Sequence, residues 1–527
     1  MHIHKTHLLP LLLALTALCV LGPAADAQLT DTSQTGAVAG IAKTYAQQIG
    51  AGHGDIMTPD SSVFIIKRDP FRSIRRGRQI FQRKFTVAQG FGPRTGDGIG
   101  MVAGDLSIGA GLADSCAACH GRPRGSAGHG GDVFTRPDSR DAPHLFGLGI
   151  IEMLGDEITQ DLRAIRDAAL AQAAMFNQPV TEPLVAKSIS YGQITAFPNG
   201  TLDTSGVVGV DTDLRVRPLF HQGGTISMRE FLVGAFNAEM GLESGDPLLH
   251  AAAAGGSVTT PSGLVLDGST DTIEVPPALN DMDDPDGDGV VDEIPTAIVD
   301  HVEFYLLNYF KPGRYQETAA TRAGLRNFSE FGCTECHIQN LTIDSDRRVA
   351  DVETVYDPVN GIFNNLFSTA TGLFTETNDG MGFPTLKLPA GNSFVVRNIF
   401  ADFKRHDLGP NFHERNHDGS LQTEFMTEPL WGVGTTAPYG HDGRSINLRE
   451  VILRHGGEAL ASRNAFAGAS EKKRILVEIF LQSLIIFPPD DTASNLNPGD
   501  PMAAGFPQNG HGSIALGALF NNPGDPE

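Results

Sequence analysis

Cys116-Ala117-Ala118-Cys119-His120 and Cys333-Thr334-Glu335-Cys336-His337 are the two places in this 527-residue chain where thiols and an imidazole stand at a spacing that can do chemistry. C-x-x-C-H is the signature of covalent c-type haem attachment. Two thiols reach the two vinyl groups of one porphyrin, and the adjacent histidine lies under the iron as its first axial ligand. Cys116, Cys119 and His120 are expected to hold one haem c, and Cys333, Cys336 and His337 a second. A structural zinc site, a disulfide or a thioredoxin-like pair are the other readings. Zinc would need further thiols or imidazoles as ligands, and the one other cysteine, Cys19, lies in a segment that reads as a removed leader.

The elements that must position these groups occur twice. Residues 218–231 (PLFHQGGTISMREF) align without a gap on residues 438–451 (PYGHDGRSINLREV), 220 residues apart, and the haem motifs lie 217 apart. One haem-binding unit is therefore repeated. Apolar spacing predicts a helix before each motif, over residues 75–85 and 321–331, and a last helix over 470–484 ended by Pro488-Pro489. In the second copy Asn447 and Glu450 make a capping-box-like helix start. Leu448, Val451, Ile452 and His455 then share one face, and Gly456-Gly457 stops the helix. His455 is expected to be the sixth ligand of the second haem, leaving that iron six-coordinate and suited to electron transfer.

The equivalent position in the first copy is Ala235, which cannot ligate iron. The helix itself persists there, opened by Ser227 and Glu230. One turn on stand Glu239 and Met240, before the helix stop Gly241. A carboxylate near an apolar face and a helix C-terminus has its proton affinity raised, which suits Glu239 to general acid and base work above an open iron. Met240 could instead ligate the first iron and close the site; His129 and His144 are further candidates for a resting ligand. His441 repeats His221, for which a structural or haem-propionate contact is expected, and Arg444 and Arg449 could pair with propionates. Trp431, the single tryptophan, is expected to pack beside the second haem. The pairs His406-Asp407, His417-Asp418 and His441-Asp442 are expected to cap turns.

Residues 1–27 read as a secretory signal, with Lys5, an apolar run too short to span a bilayer, and Ala25-Asp26-Ala27 as cleavage site. Export to the periplasm agrees with c-type haem. A net charge of -23 argues against nucleic-acid binding and fits a basic electron donor. Residues 28–65 are read as an N-terminal extension, 66–310 as a first haem domain with insertions, 311–490 as a second, and 491–527 as a tail. Residues 244–272 are expected to be surface loop. Asp284, Asp286 and Asp288 alternate around a glycine turn, as a calcium loop of a non-EF-hand kind does. The expected fold class is mainly α, two tandem cytochrome c-like domains with long loop insertions.

CAACHGRPRG, APHLFGLGIIEML, the AEMGL around Glu239, FGCTECH and PLWGVGTTAPYGHDGRSINLREVILRHGGEA resemble the bacterial di-haem cytochrome c peroxidase superfamily, within it the di-haem oxidoreductase branch. The resemblance covers most of the chain after residue 27. It implies two cytochrome c domains, one haem reducing peroxide and the other supplying electrons from a small carrier such as a c-type cytochrome or cupredoxin. It also implies that Glu239-Met240 stands over the peroxidatic haem, with Gln222 assisting. His455 departs from the methionine usual at the electron-transfer haem, which implies a lower potential there. Peroxide reduction is the expected activity. Oxidation of an organic or protein substrate at the same haem, and electron transfer without catalysis, are the alternatives.

Overall fold

In the computed structural model the described residues are 43–85, 101–102, 106–107, 113, 115–121, 127–130, 132–133, 140–285, 287, 289–291, 293–309, 317–352, 370–416 and 419–485. Residues 1–27, read above as a secretory signal, residues 491–527, Asp286, Asp288 and the pair His417-Asp418 lie outside them. The helices, in chain order, are α1 (Tyr45–Ile49), α2 (Ser62–Arg68), α3 (Pro70–Gln82), α4 (Cys116–His120), α5 (Leu148–Phe176), α6 (Met228–Ala238), α7 (Pro247–Ala253), α8 (Thr296–Asn308), α9 (Ala319–Glu330), α10 (Leu448–Arg454), α11 (Leu460–Gly468) and α12 (Glu471–Gln482). Among the described residues no helix is long and apolar enough to cross a membrane.

The expectation of a mainly α fold is corrected: among the described residues 38% are in helix and 16% in strand. Between the helices lie small antiparallel sheets. The largest joins Val180–Ala186, Ile189–Ala196 and Leu202–Asp203. Its middle strand buries Ile189 and Tyr191 and then, after a shift of phase, Ile194 and Ala196, each pair at the period-2 spacing of a half-buried strand. Residues 244–272 are likewise more than surface loop. They form α7 and a hairpin of Ser257–Thr259 with Val265–Asp267, and Leu249, Ala252, Leu264 and Leu266 are buried.

Each motif sits beside a crossing of two helices that only glycine permits. In the first unit α3 meets α8 at Gly77, where a Cβ would lie 2.1 Å from the His301 carbonyl oxygen and 2.5 Å from Tyr305 Cβ. In the second α9 meets α12 at Gly324, where it would lie 2.0 Å from the Leu476 carbonyl oxygen and 2.5 Å from Phe480 Cβ. Pro70 at the first turn and the Asp69 side chain, which accepts from Arg72 N–H, start α3 ahead of the apolar stripe that predicted it. On an exposed helix Gly324→Ala would gain about 1 kcal/mol of propensity. Here the new methyl strikes backbone, so a net loss of about 1–3 kcal/mol is expected. Denaturant midpoints check this, and a gain in stability would contradict the close crossing.

Among the described residues, three large apolar cores follow from this arrangement, beside a small one at Ala169, Ala173 and Ala196. One surrounds the first motif with Phe81, Phe85, Phe236, Met240 and Tyr305; another surrounds the second with Phe328, Phe400, Phe480 and Leu481. The third joins the two, packing Ile150, Met153, Leu154, Ile158 and Leu162 of α5 against Leu341, Ile343, Ile399 and Trp431.

Candidate functional site

The repeat legible in the sequence is also a repeat of structure. Leu219 bridges Thr225, and 220 residues on Tyr439 bridges Ser445. Ser227 then caps α6 by accepting from Glu230 N–H, as Asn447 caps α10 by accepting from Glu450 N–H. The copies diverge at the position of interest. α10 ends at His455, whereas α6 continues past Ala235 to Ala238, with Glu239 as its C-cap. Gly241, at φ 64°, closes it, and Leu242 N–H bonds back to the Phe236 carbonyl. The extra turn carries Glu239 and Met240 to the first motif.

Three histidines share one preparation. His120 Nδ1 donates to the Pro143 carbonyl at 2.7 Å, His337 Nδ1 to the Phe400 carbonyl at 3.0 Å, and His455 Nδ1 to the Val451 carbonyl at 2.7 Å. A carbonyl only accepts, so each Nδ1 carries the proton and each Nε2 keeps a free lone pair. Burial lowers the proton affinity of all three, taking His455 down to about 4, and the nearby His337 adds to that last shift. All three stay neutral, as iron ligation requires. Protein surrounds them, yet each keeps accessible surface, so they line internal clefts rather than a filled core.

The thiols match. All four are unpaired. Burial pushes Cys116 up to about 12 and Cys333 up to about 12, and burial followed by the charge of Glu239 pushes Cys119 up to about 11. Neutral thiols beside a ligating histidine are the donor set a covalently held haem uses, and the cleft lining fits it. The influence of Glu239 on Cys119 places its carboxylate beside the first motif, with Oε2 buried. Met240 is 3% exposed in the same core. Gln222 lies at the hairpin tip, its Oε1 buried without a hydrogen-bond partner.

Other expected residues have different partners. His144 Nε2 donates to the Trp431 carbonyl at 2.9 Å. The neighbouring Pro143 holds His120, so one dipeptide links the histidine of the first motif to a tryptophan buried in the middle core. Arg449 pairs with Glu478 and Glu471 rather than standing free for a propionate, and Arg444 is largely exposed near Asp442. Neighbouring His-Asp pairs do not pair with each other: His406 bonds Asp402 and Glu458, His413 bonds Asp407, and Asp442 goes to Arg454. Asp284 accepts from Gly287 and Gly289 N–H through its two oxygens, so calcium there rests on sequence spacing alone.

The sequence read His406 only as half of a turn-capping pair and did not single out Glu414. Burial opposes charge on His406, yet Asp402, Cys336 and Glu458 outweigh it and raise its proton affinity to about 11, fixing a cation beside the second motif. Glu414 lies between His221 and His441. Glu414 and the Glu458 partner of His406 are distant in sequence from the groups they meet, so no local pattern marks these contacts.

Residues 338–484 match the family described as di-haem oxidoreductase, putative peroxidase. The match begins directly after His337 and takes in the second copy of the repeat with His455. No curated protein matches the chain. Hydrazine synthase of Kuenenia stuttgartiensis, in a structure pressurised with xenon, is similar at 13% identity and a TM-score of 0.32, covering 86% of this chain and 99% of that one. The family match supports a di-haem oxidoreductase, with haem as its cofactor.

Proposed function

We propose that the chain is an exported di-haem c-type oxidoreductase that reduces hydrogen peroxide to water with electrons from a small external carrier. The observation that carries the reading is the divergence of the repeat: the second copy offers an Nε2 ligand at His455, and the first offers Ala235 followed by a buried carboxylate. An electron relay needs no such asymmetry. Bound by Cys116, Cys119 and His120, a haem supplies an iron that exchanges electrons with a peroxide.

The residues of the chain do the rest. His120 is held in one tautomer by the Pro143 carbonyl. Glu239 takes a proton from one peroxide oxygen and returns it to the other, so that the departing atom leaves as water. Two electrons from the carrier and two protons from solvent complete the second water. Gln222 offers an amide to orient the peroxide. Phe236 and Met240 keep the site dry. On the other side Cys333, Cys336, His337 and His455 would hold the electron-accepting haem, and Trp431 with His144 lies on the route between the motifs.

Stopped-flow mixing of the half-reduced protein with peroxide tests the function: a high-spin haem that reacts with peroxide is expected, and two low-spin haems at every redox level with no peroxide turnover would overturn the reading. The assignment of His455 has its own test. His455→Ala is expected to convert the second haem from low-spin to high-spin in the absorption spectrum without loss of haem. An unchanged spectrum would remove His455 from the ligand set.

A further inference from the structure

His221 and His441, equivalent residues of the two repeats, are brought together in this fold. Their rings lie 4.9 Å apart at 8° to one another. Between them stands one carboxylate: His221 Nε2 is 2.9 Å from Glu414 Oε1, and His441 Nε2 is 3.0 Å from Glu414 Oε2. The three side chains are 14%, 6% and 7% exposed respectively. They come from three separate segments, the two hairpin turns and the strand Glu414–Arg415.

We propose that His221, Glu414 and His441 form a binding site for a zinc-type divalent ion that clips the two copies of the repeat together. Two imidazoles and a carboxylate are a zinc donor set, and the three ligand atoms all lie within 4.8 Å of one another. A zinc ion about 2.0–2.2 Å from each ligand spaces them about 3.3–3.6 Å apart, so each imidazole needs to move from the carboxylate by only a few tenths of an ångström. His441 provides the second, independent observation. Its Nε2 is buried and, although near Glu414, lies out of line for a hydrogen bond and makes no other. A buried imidazole nitrogen without a hydrogen bond is a coordination position that a metal takes up with release of the ring proton. Phe425, stacked on His441 at 4.2 Å and 11°, fixes the ring plane. The other polyvalent cluster, Cys336 with Asp402 and His406, loses its sulfur to haem attachment and carries no such site.

The proposal does not depend on the reaction at either haem. The test is zinc retention by the full haem-loaded chain, stripped with a chelator, dialysed against Zn2+ and assayed by mass spectrometry of bound metal. One zinc per chain and a higher Tm with zinc are expected for the native protein. Glu414→Gln and His441→Asn are expected to retain almost none and to lose the Tm rise, both haems remaining. A native protein that binds no zinc, or a Glu414→Gln variant that binds as much, overturns the site. If these variants fail to fold, X-ray absorption on the zinc-loaded native protein decides. A shell containing two imidazole nitrogens and a carboxylate oxygen supports the assignment; a sulfur ligand, or a shell without nitrogen, overturns it.

Discussion

Glu239→Gln will lower peroxide turnover by about 10²–10⁴-fold, the range in which positioned proton transfer contributes, while both haem spectra stay close to those of the native protein. Glutamine keeps the shape and much of the hydrogen bonding of glutamate. It cannot take up a proton and hand it on. Glu239 closes α6 through its backbone N–H while its carboxylate acts on Cys119, and His120 is held separately by the Pro143 carbonyl, so replacing the carboxylate should leave attachment and proximal ligation alone. Single-turnover kinetics of the half-reduced protein separate this from a loss of electron supply. The slow step should be the reaction with peroxide, with electron delivery to the second haem unchanged. A fall of less than about threefold, against the contribution expected of a catalytic proton carrier, would sink the proton-shuttle role. So would an equal loss in the electron-delivery phase.

The parts of this design that were legible in the sequence are those written in local chemistry. The two C-x-x-C-H motifs, the caps Ser227 and Asn447 and the stop Gly241 each act within a few residues, and the structure has all of them. The repeat made the contrast of Ala235 with His455 visible without any coordinates. The strand of residues 180–186 alternates with period 2, a pattern as local as the caps, whereas the next strand changes phase after Tyr191 and blurs it. What sequence could not supply was distance. Glu414 lies 193 positions from His221, and nothing near it in the chain marks it as the group two repeats would share. His144 shows the same limit: its bond to Trp431 spans 287 positions. Arg229 was hidden for a different reason, because a charged residue on a helix reads by default as solvated.

Arg229→Met should be the most destabilising single change in the first unit, by about 3–5 kcal/mol at neutral pH, because it removes one partner of a buried ionic cluster. Arg229 is fully buried, with Nε 2.7 Å from Asp246 in an off-line ion pair and Nη1 2.9 Å from Asp300 and 2.8 Å from Glu303, all three acids equally buried. His53, 2.6 Å from Asp300, would remain as a direct partner, with Lys67 and Arg347 acting on Glu303 through charge alone. The repeat supplies an internal control. Arg449, the equivalent residue, makes the equivalent bond to Glu478 at 2.5 Å at the protein surface, so Arg449→Met should have a far smaller effect because solvent screens it. The pH dependence has a definite sign. Burial alone would raise Asp300, but Arg229 and then His53 hold it down to about 2. In the native protein its contribution is therefore present above the ordinary carboxylate range and is lost as pH falls toward 2. Burial already holds Asp246 and Glu303 above their ordinary values despite Arg229; without it they rise further and Asp300 rises with them, so the penalty of the substitution is full at neutral pH and shrinks as acid neutralises the cluster. Denaturant unfolding of native and variant proteins at pH 7 and pH 4 measures the gap. A gap below about 1 kcal/mol at pH 7, typical of an ordinary surface change, or one that widens on acidification, would mean that this cluster does not hold α6 to α8.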